Sequence, residues 1–168
     1  KCLEQTLIIK EDYRKSQNIN NDSYLYPLNN TTSFIVNKLF RKLTKDKYKK
    51  EKILSIKGRK FIIKNYYEGV ARFDFNDLCN KNIGAEDYIK LAEECKYIII
   101  ENLPNFNDNN SNQQQRFITL IDIIYEKKIK LIISCTSMIS KLTSANSLSK
   151  PFKRTISRLH ELTANLNT

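Results

Sequence analysis

Two arginines four residues apart are the clearest candidates in this sequence for contact with a phosphate. Arg154 and Arg158 fall on one face of the helix predicted over Phe152 to Leu162, because helical residues four apart are neighbours. Two guanidiniums so placed offer several N–H donors to a phosphate or a carboxylate. The alternative is an ordinary polar helix face in which the arginines pair with Glu161.

An acidic residue at the end of an apolar run is a second candidate. Tyr97 to Ile100 predicts a strand buried on both faces, and Glu101 follows it directly. A carboxylate at such a position can bind magnesium. However, the sequence contains no G-x-x-x-x-G-K-S/T loop to cradle a phosphate, and none of its three glycines opens a predicted helix. The simpler interpretation is that Glu101 is the polar residue that ends a buried strand.

A cluster of lysines forms the third candidate, an anion-binding patch. The net charge is +11, and residues 1–64 hold 16 Lys/Arg against 6 Asp/Glu. The cluster contains Lys45, Lys47, Lys49, Lys50 and Lys52. Such a patch can meet nucleic acid or an anionic membrane surface, as a non-catalytic binding module would. A solvated loop with no ligand is the alternative.

Several other kinds of site are excluded by composition. The four cysteines include no C-x-x-C pair and the only histidine is His160, which argues against a zinc site and against nucleophilic catalysis built on histidine. We therefore expect that the chain binds no metal and that its cysteine thiols are free and half-buried. No apolar run approaches the ~20 residues that span a bilayer as a helix.

The elements that must position these residues follow from hydrophobic periodicity. A helix is predicted to start near Thr31 or Thr32, either of which can cap it, and a β-hairpin is predicted from 53–57 and 61–64 around Gly58. From Val70 onward strands and helices alternate, which predicts a parallel sheet with packed helices. The stretch 105–115 is rich in Asn and Gln and predicts a mobile loop. The fold class is therefore α/β, a parallel sheet preceded by a helix and a hairpin.

In such sheets ligands bind at the carboxyl ends of the strands. The predicted ends here are 74–77, Glu101-Asn102 and 134–136. We expect these three stretches to meet at one edge of the sheet.

Four stretches carry a family resemblance in their order and spacing. They are DYR at 12–14 with YLYPL at 24–28, FDFNDLC at 73–79 with DY at 87–88, RFxxLxDxxY at 116–125 with KLIIS at 130–134, and FxRxxSRLxEL at 152–162. Together they resemble the C-terminal half of the ZapE family, which includes bacterial cell-division ATPases and their mitochondrial relatives. The resemblance implies the C-terminal part of an AAA-type P-loop NTPase.

The resemblance implies that the full-length protein hydrolyses ATP with Mg²⁺. ATP and Mg²⁺ would be bound by an N-terminal half that precedes the matched region, and this chain alone would be inactive. Leu7-Ile8-Ile9 would be the last strand of the ATPase core, which gives segments 1–15 (core strand), 16–52 (connection, helix and basic loop) and 53–168 (C-terminal α/β region). Arg154 and Arg158 match the family's Phe-x-Arg-x-x-Ser-Arg-Leu motif, and an arginine there would contact ATP phosphate.

Further expectations rest on the same resemblance. Arg116 and Asp122 match family positions and would support the site, unless they form a structural ion pair with each other. A homo-oligomer and a protein substrate for remodelling or for cell or organelle division are also implied. The location implied is the mitochondrion, or the bacterial cytoplasm with membrane association.

One further hypothesis comes from element order. From Tyr97 to Ser137 the chain runs apolar strand, acid, loop, amphipathic helix and apolar strand, like the segment from Walker B to the first sensor in such ATPases. If this region is a degenerate copy of a nucleotide-binding unit, the strands that begin at Tyr97 and Lys130 must be parallel neighbours.

Overall fold

The computed structural model describes residues 23–164. The strand predicted at 7–9 and the DYR stretch at 12–14 lie outside the described residues. The elements, in chain order, are β1 (Tyr24–Leu25), α1 (Asn30–Thr44), β2 (Lys52–Ile56), β3 (Arg59–Ile63), β4 (Tyr66–Tyr67), β5 (Val70–Asp74), α2 (Phe75–Cys79), α3 (Ala85–Glu94), β6 (Tyr97–Leu103), α4 (Ser111–Glu126), β7 (Lys130–Cys135) and α5 (Ser149–Thr163).

The main sheet has five strands in the order β1-β7-β6-β5-β4. The pairs β1–β7, β7–β6 and β6–β5 are parallel, and only the short edge strand β4 is antiparallel to its neighbour. Helices α3 and α4 form the two crossovers, as the alternating pattern predicted. The α/β fold class with a mostly parallel sheet is therefore confirmed. The parallel adjacency of β6 and β7 also meets the condition set by the degenerate-copy hypothesis.

Helices cover both faces of this sheet. On one face Val36 of α1 packs with Leu25, Ile99 and Ile132. The larger core lies on the other face, between the sheet and helices α2 to α5. This arrangement explains why the runs at 98–100 and 131–133 are apolar without interruption: alternate side chains enter two different buried layers. Strand β1 and helix α1 pack against the same sheet as the later elements. The start of a separate C-terminal α/β region at residue 53 therefore stays a prediction.

Four phenylalanines form the centre of the larger core. Phe106 contacts the rings of Phe75, Phe117 and Phe152, with centroids 5.8, 5.8 and 5.5 Å away. The four residues come from α2, the β6–α4 connection, α4 and α5. The cluster therefore fixes three helices against one another at the carboxyl end of the sheet.

Two predicted details are wrong. Helix α1 is capped by Asn29, whose side chain accepts from the Thr32 amide, and not by a threonine. The stretch 105–115 is not a mobile loop, because α4 begins at Ser111 and the residues before it form a short 3₁₀ turn. Asn side chains there satisfy local backbone groups: Asn107 donates its backbone N–H to Asn110 Oδ1 at 2.7 Å.

The predicted hairpin is confirmed, with β2 and β3 antiparallel around a two-residue turn. Lys57 and Gly58 both have positive φ, 47° and 79°. Such turns favour Gly or Asn. We expect Gly58→Ala to lower the free energy of unfolding by about 1 kcal/mol because of the left-handed backbone alone, since a Cβ there meets nothing within 4 Å. Urea unfolding should show a smaller loss of unfolding free energy for Gly58→Asn than for Gly58→Ala. Equal losses would contradict this explanation.

Candidate functional site

The two candidate arginines converge on one carboxylate. Arg154 Nη2 lies 3.0 Å from Asp122 Oδ2, and Arg158 Nη1 donates to Asp122 Oδ1. Asp122 lies on α4 and both arginines on α5, so the packing of these two helices builds the cluster. The cluster of Arg154, Arg158, Asp122, Tyr125 and Glu161 is called the arginine cluster from here on.

Tyr125 holds Arg158, and Glu161 holds Tyr125. Its guanidinium carbon lies 4.8 Å from the centroid of the Tyr125 ring, close enough for a cation–π contact. The Tyr125 hydroxyl donates to Glu161 Oε2 at 2.6 Å. That hydrogen bond to a carboxylate, followed by the charge of Glu161, raises the pKa of Tyr125. The structure does not show the alternative pairing of the arginines with Glu161. Both arginines bind Asp122 of α4, and Arg158 also contacts Tyr125.

The two arginines differ in exposure. The Arg158 side chain is 20 % exposed and Arg154 is 59 % exposed. A guanidinium has five N–H donors in a planar fork, and Arg154 uses one of them on Asp122. Arg154 therefore keeps donors directed to solvent while its position is fixed by the carboxylate.

Arg116 is not part of this cluster. Its Nη1 donates to the backbone carbonyl oxygen of Cys79 at 3.1 Å, which ties α4 to the end of α2. The alternative of an ion pair between Arg116 and Asp122 is not observed. Residues six apart lie about 240° apart around a helix, so the two side chains leave α4 in different directions.

Glu101 is held in a separate ion pair. Its two carboxylate oxygens accept from Arg72 Nε at 2.7 Å and Nη2 at 2.8 Å. The same guanidinium donates to Asn37 Oδ1 of α1 at 2.8 Å and lies over the Phe40 ring, 5.1 Å from its centroid. The pair therefore lies beneath α1 and connects this helix to β5 and β6. Sequence reasoning missed Arg72, whose only signal was a charge inside an otherwise apolar strand.

We expect Glu101→Gln to lower the free energy of unfolding by about 2 kcal/mol, because it leaves the charge of Arg72, whose side chain is 19 % exposed, without its partner. Glu126→Gln, an exposed acid at the end of α4, is the matched control and should have almost no effect. Chemical denaturation of both variants gives the comparison, and equal stabilities would contradict a structural role for the pair.

The predicted strand ends do meet at one edge of the sheet. Asp74 and Glu101 are register partners on β5 and β6. Asn102 donates its side-chain amide to Asp74 Oδ2 at 2.6 Å and its backbone N–H to Ser134 Oγ at 3.1 Å. A bulge between Ile100 and Leu103 and a φ of 63° at Asn102 aim these groups across the edge.

Asp122 of the arginine cluster lies near the end of α4 that points away from that edge. Helix α4 begins beside the carboxyl end of β6 and runs back toward the amino end of β7. Asp122 is one turn before the helix ends at Glu126, roughly 16 Å along the axis from Ser111. Glu101 and the two arginines therefore belong to separate ion pairs, Glu101 with Arg72 and both arginines with Asp122.

The lysine candidates are only partly available for an anion. Lys52 Nζ lies 2.7 Å from Glu94 Oε2, and this hydrogen bond raises the pKa of Lys52. Lys47 Nζ donates to the Glu68 carbonyl oxygen at 3.4 Å, and the backbone at Lys49 bridges to β4. Lys45, Lys49 and Lys50 are exposed. The segment is therefore ordered by backbone pairing, with three of its five lysines facing solvent.

The described cysteines are free and fully buried, not half-buried. Burial raises the pKa of Cys79, Cys95 and Cys135 to about 12 in each case, so their thiols stay protonated and unreactive. Between residues 23 and 164 no group of three or more His, Cys, Asp or Glu side chains is placed to hold a metal ion. In the same residues no helix combines the length and the apolarity needed to cross a membrane.

The mostly parallel sheet with crossover helices is consistent with the C-terminal part of a P-loop NTPase. The chain belongs to the AFG1-like ATPase family, whose model matches residues 5–167. This confirms the resemblance to the ZapE family and places the chain in an ATPase family.

Three relatives illustrate the match. An uncharacterised protein of Schizosaccharomyces pombe is 32% identical over 129 residues, which cover 73% of this chain and 28% of that protein. Lactation elevated protein 1 homolog B of Danio rerio is 28% identical over 109 residues, covering 64% of this chain and 22% of that protein. Cell division protein ZapE of Escherichia coli is 26% identical over 151 residues, covering 90% and 40%. No solved structure matches. The chain spans less than half the length of these relatives.

Proposed function

We propose that the full-length protein hydrolyses ATP and that this chain presents Arg154 to a phosphate of the nucleotide. The family assignment over residues 5–167 supports the activity. The observation that favours Arg154 is its combination of anchoring and exposure: one donor on Asp122, and a side chain 59 % exposed. A fixed cation with free donors suits charge that develops on a transferring phosphoryl group.

Arg158 has a different proposed role. Its side chain is 20 % exposed and lies between Asp122 and the Tyr125 ring. We assign it to positioning: the Tyr125 ring holds Arg158, Arg158 holds the Asp122 carboxylate, and Asp122 orients Arg154. Asp122 lies between the two guanidiniums and offsets one of their two positive charges.

The chain's own residues do not fit Mg²⁺ or the triphosphate cradle. The sequence has no G-x-x-x-x-G-K-S/T loop, and residues 23–164 contain no cluster of acids placed to hold a cation. We therefore assign both to other parts of the full-length protein and derive no step through the metal from this chain.

Family membership also supports a proposal about the cellular role and location of the full-length protein. The Escherichia coli relative is named a cell division protein, and on that basis we propose that ATP hydrolysis drives protein remodelling or division, in a homo-oligomer. A mitochondrial location, or a membrane-associated one in bacteria, belongs to the same proposal.

The direct test is phosphate release by the purified full-length protein. We expect turnover that requires Mg²⁺ and is lost on chelation. An absence of turnover in the folded protein, or tight Mg·ATP binding by residues 1–168 alone, would contradict the proposal.

A further inference from the structure

The solvent-facing side of the β2–β3 hairpin carries an apolar pair that no described residue covers. Ile53 and Ile62 are direct cross-strand partners, and they are 51% and 44% exposed. Their neighbours Leu54 and Ile63 are buried in the core, because successive strand side chains point to opposite faces. The pair is therefore a separate apolar patch on the surface.

Four lysines and one acid, Glu51, flank this patch. Lys60, opposite Ser55, is the next position on the same face, while Lys49 and Lys50 lead into β2 and Lys64 leaves β3. All four are exposed, and the salt bridges formed by lysines of this hairpin use Lys52 and Lys57 instead. The hairpin surface is defined as Ile53, Ile62, Lys49, Lys50, Lys60 and Lys64.

We propose that the hairpin surface binds an anionic phospholipid bilayer. A bilayer surface presents negative headgroups above an apolar layer, and this face offers ammonium groups around two aliphatic side chains. Lysine suits this arrangement because its long apolar stem can lie along the interface while the charge stays with the headgroups. Two half-exposed isoleucines give weak, reversible attachment, with most of the attraction supplied by charge.

The composition of the hairpin surface favours lipid over nucleic acid. Single-stranded nucleic acids are held by stacking on aromatic rings, and base edges by the bidentate fork of arginine. The hairpin surface contains neither group, and the nearest exposed ring, Tyr48, precedes it in the connection from α1. An aliphatic pair contributes nothing to stacking.

The apolar area also argues against a stable protein interface. Such interfaces bury about 800 Å² on each partner. Two half-exposed isoleucines fall far short of this, and the lysines around them would need acidic partners at every edge. An anionic bilayer is fluid, so it can contact all four lysines without a complementary shape.

Flotation of the full-length protein with vesicles tests the proposal. We expect binding to equimolar phosphatidylcholine and phosphatidylserine, little binding to phosphatidylcholine alone, and loss in high salt. Replacing Lys49, Lys50 and Lys60 with Gln should weaken binding by about tenfold or more. The double variant Ile53→Ser and Ile62→Ser, which leaves charge unchanged, should weaken it by about fivefold.

Matched controls separate this surface from net charge. Replacing the exposed lysines Lys127, Lys141 and Lys150 with Gln removes the same charge elsewhere, and Phe34→Ser removes an exposed ring from α1. Both controls should bind like the wild type, and all variants should keep the wild-type ATP turnover.

The proposal is overturned if the control lysine variant loses as much binding as the hairpin variant, or if the isoleucine variant binds as the wild type does. It is equally overturned if vesicles are not retained while an oligonucleotide is, in a manner that depends on the same lysines. That last result would assign the hairpin surface to nucleic acid.

Discussion

Replacing Arg154 with alanine is expected to lower ATP turnover by the full-length protein more than tenfold, equivalent to about 1.4 kcal/mol or more of transition-state stabilisation. Its effect on stability should be small, because an ion pair of a 59 % exposed side chain contributes less than about 1 kcal/mol. Steady-state turnover and urea unfolding of the same variant give both quantities. Lys153→Ala, the exposed neighbour, is the control and should change neither.

Arg158→Ala should also lower turnover more than tenfold, and should in addition reduce stability by about 1–2 kcal/mol, since it removes the contacts with Asp122 and the Tyr125 ring. Asp122→Asn keeps the shape but weakens the hold on Arg154, so it should lower kcat with little change in KM. If all three variants fold and turn over ATP as the wild type does, the arginine cluster is a structural ion-pair network and the proposed role is rejected.

Phe117→Ala is expected to cause the largest loss of stability, about 3–5 kcal/mol in free energy of unfolding. Phe117 is fully buried and its ring lies 6.0 Å from Phe75 and 5.8 Å from Phe106, centroid to centroid. Truncation leaves a cavity at the centre of the four-ring cluster, which three helices and a connection enclose and which cannot readily collapse.

The matched control for this loss is Phe34→Ala, the same truncation at a residue that is 68% exposed. It should change the free energy of unfolding by less than about 0.5 kcal/mol. Equilibrium denaturation of the two variants under one set of conditions makes the comparison. Similar values for both would mean that the four rings are not a packed core.

Much of the fold could be predicted because it depends on local patterns. The apolar runs at 98–100 and 131–133 predict strands buried on both faces, and their alternation with amphipathic stretches predicts parallel pairing. The turn at Lys57-Gly58 was similarly visible, since only positive φ closes a two-residue hairpin of this kind. Local preference failed at 105–115, where polar composition predicts a loop but side-chain capping and the burial of Gln114 start a helix.

The candidate site was predicted as residues but not as an arrangement. Helical spacing put Arg154 and Arg158 on one face, yet it gave no means of choosing Glu161, Arg116 or Asp122 as partners. That choice depends on which face of α4 packs against α5, which involves residues more than 30 positions apart. The stacking of Arg158 on Tyr125 was missed for the same reason.

By itself the sequence determined the α/β class, the order of the elements, the family and the absence of a phosphate-cradling loop from these 168 residues, because each of these is written in short-range pattern and residue type. Only the tertiary structure decided that Glu101 is bound to Arg72, that the arginines share Asp122, and that Ile53 and Ile62 face solvent among lysines. Those outcomes follow from how helices and strands distant in sequence pack, which no local pattern specifies.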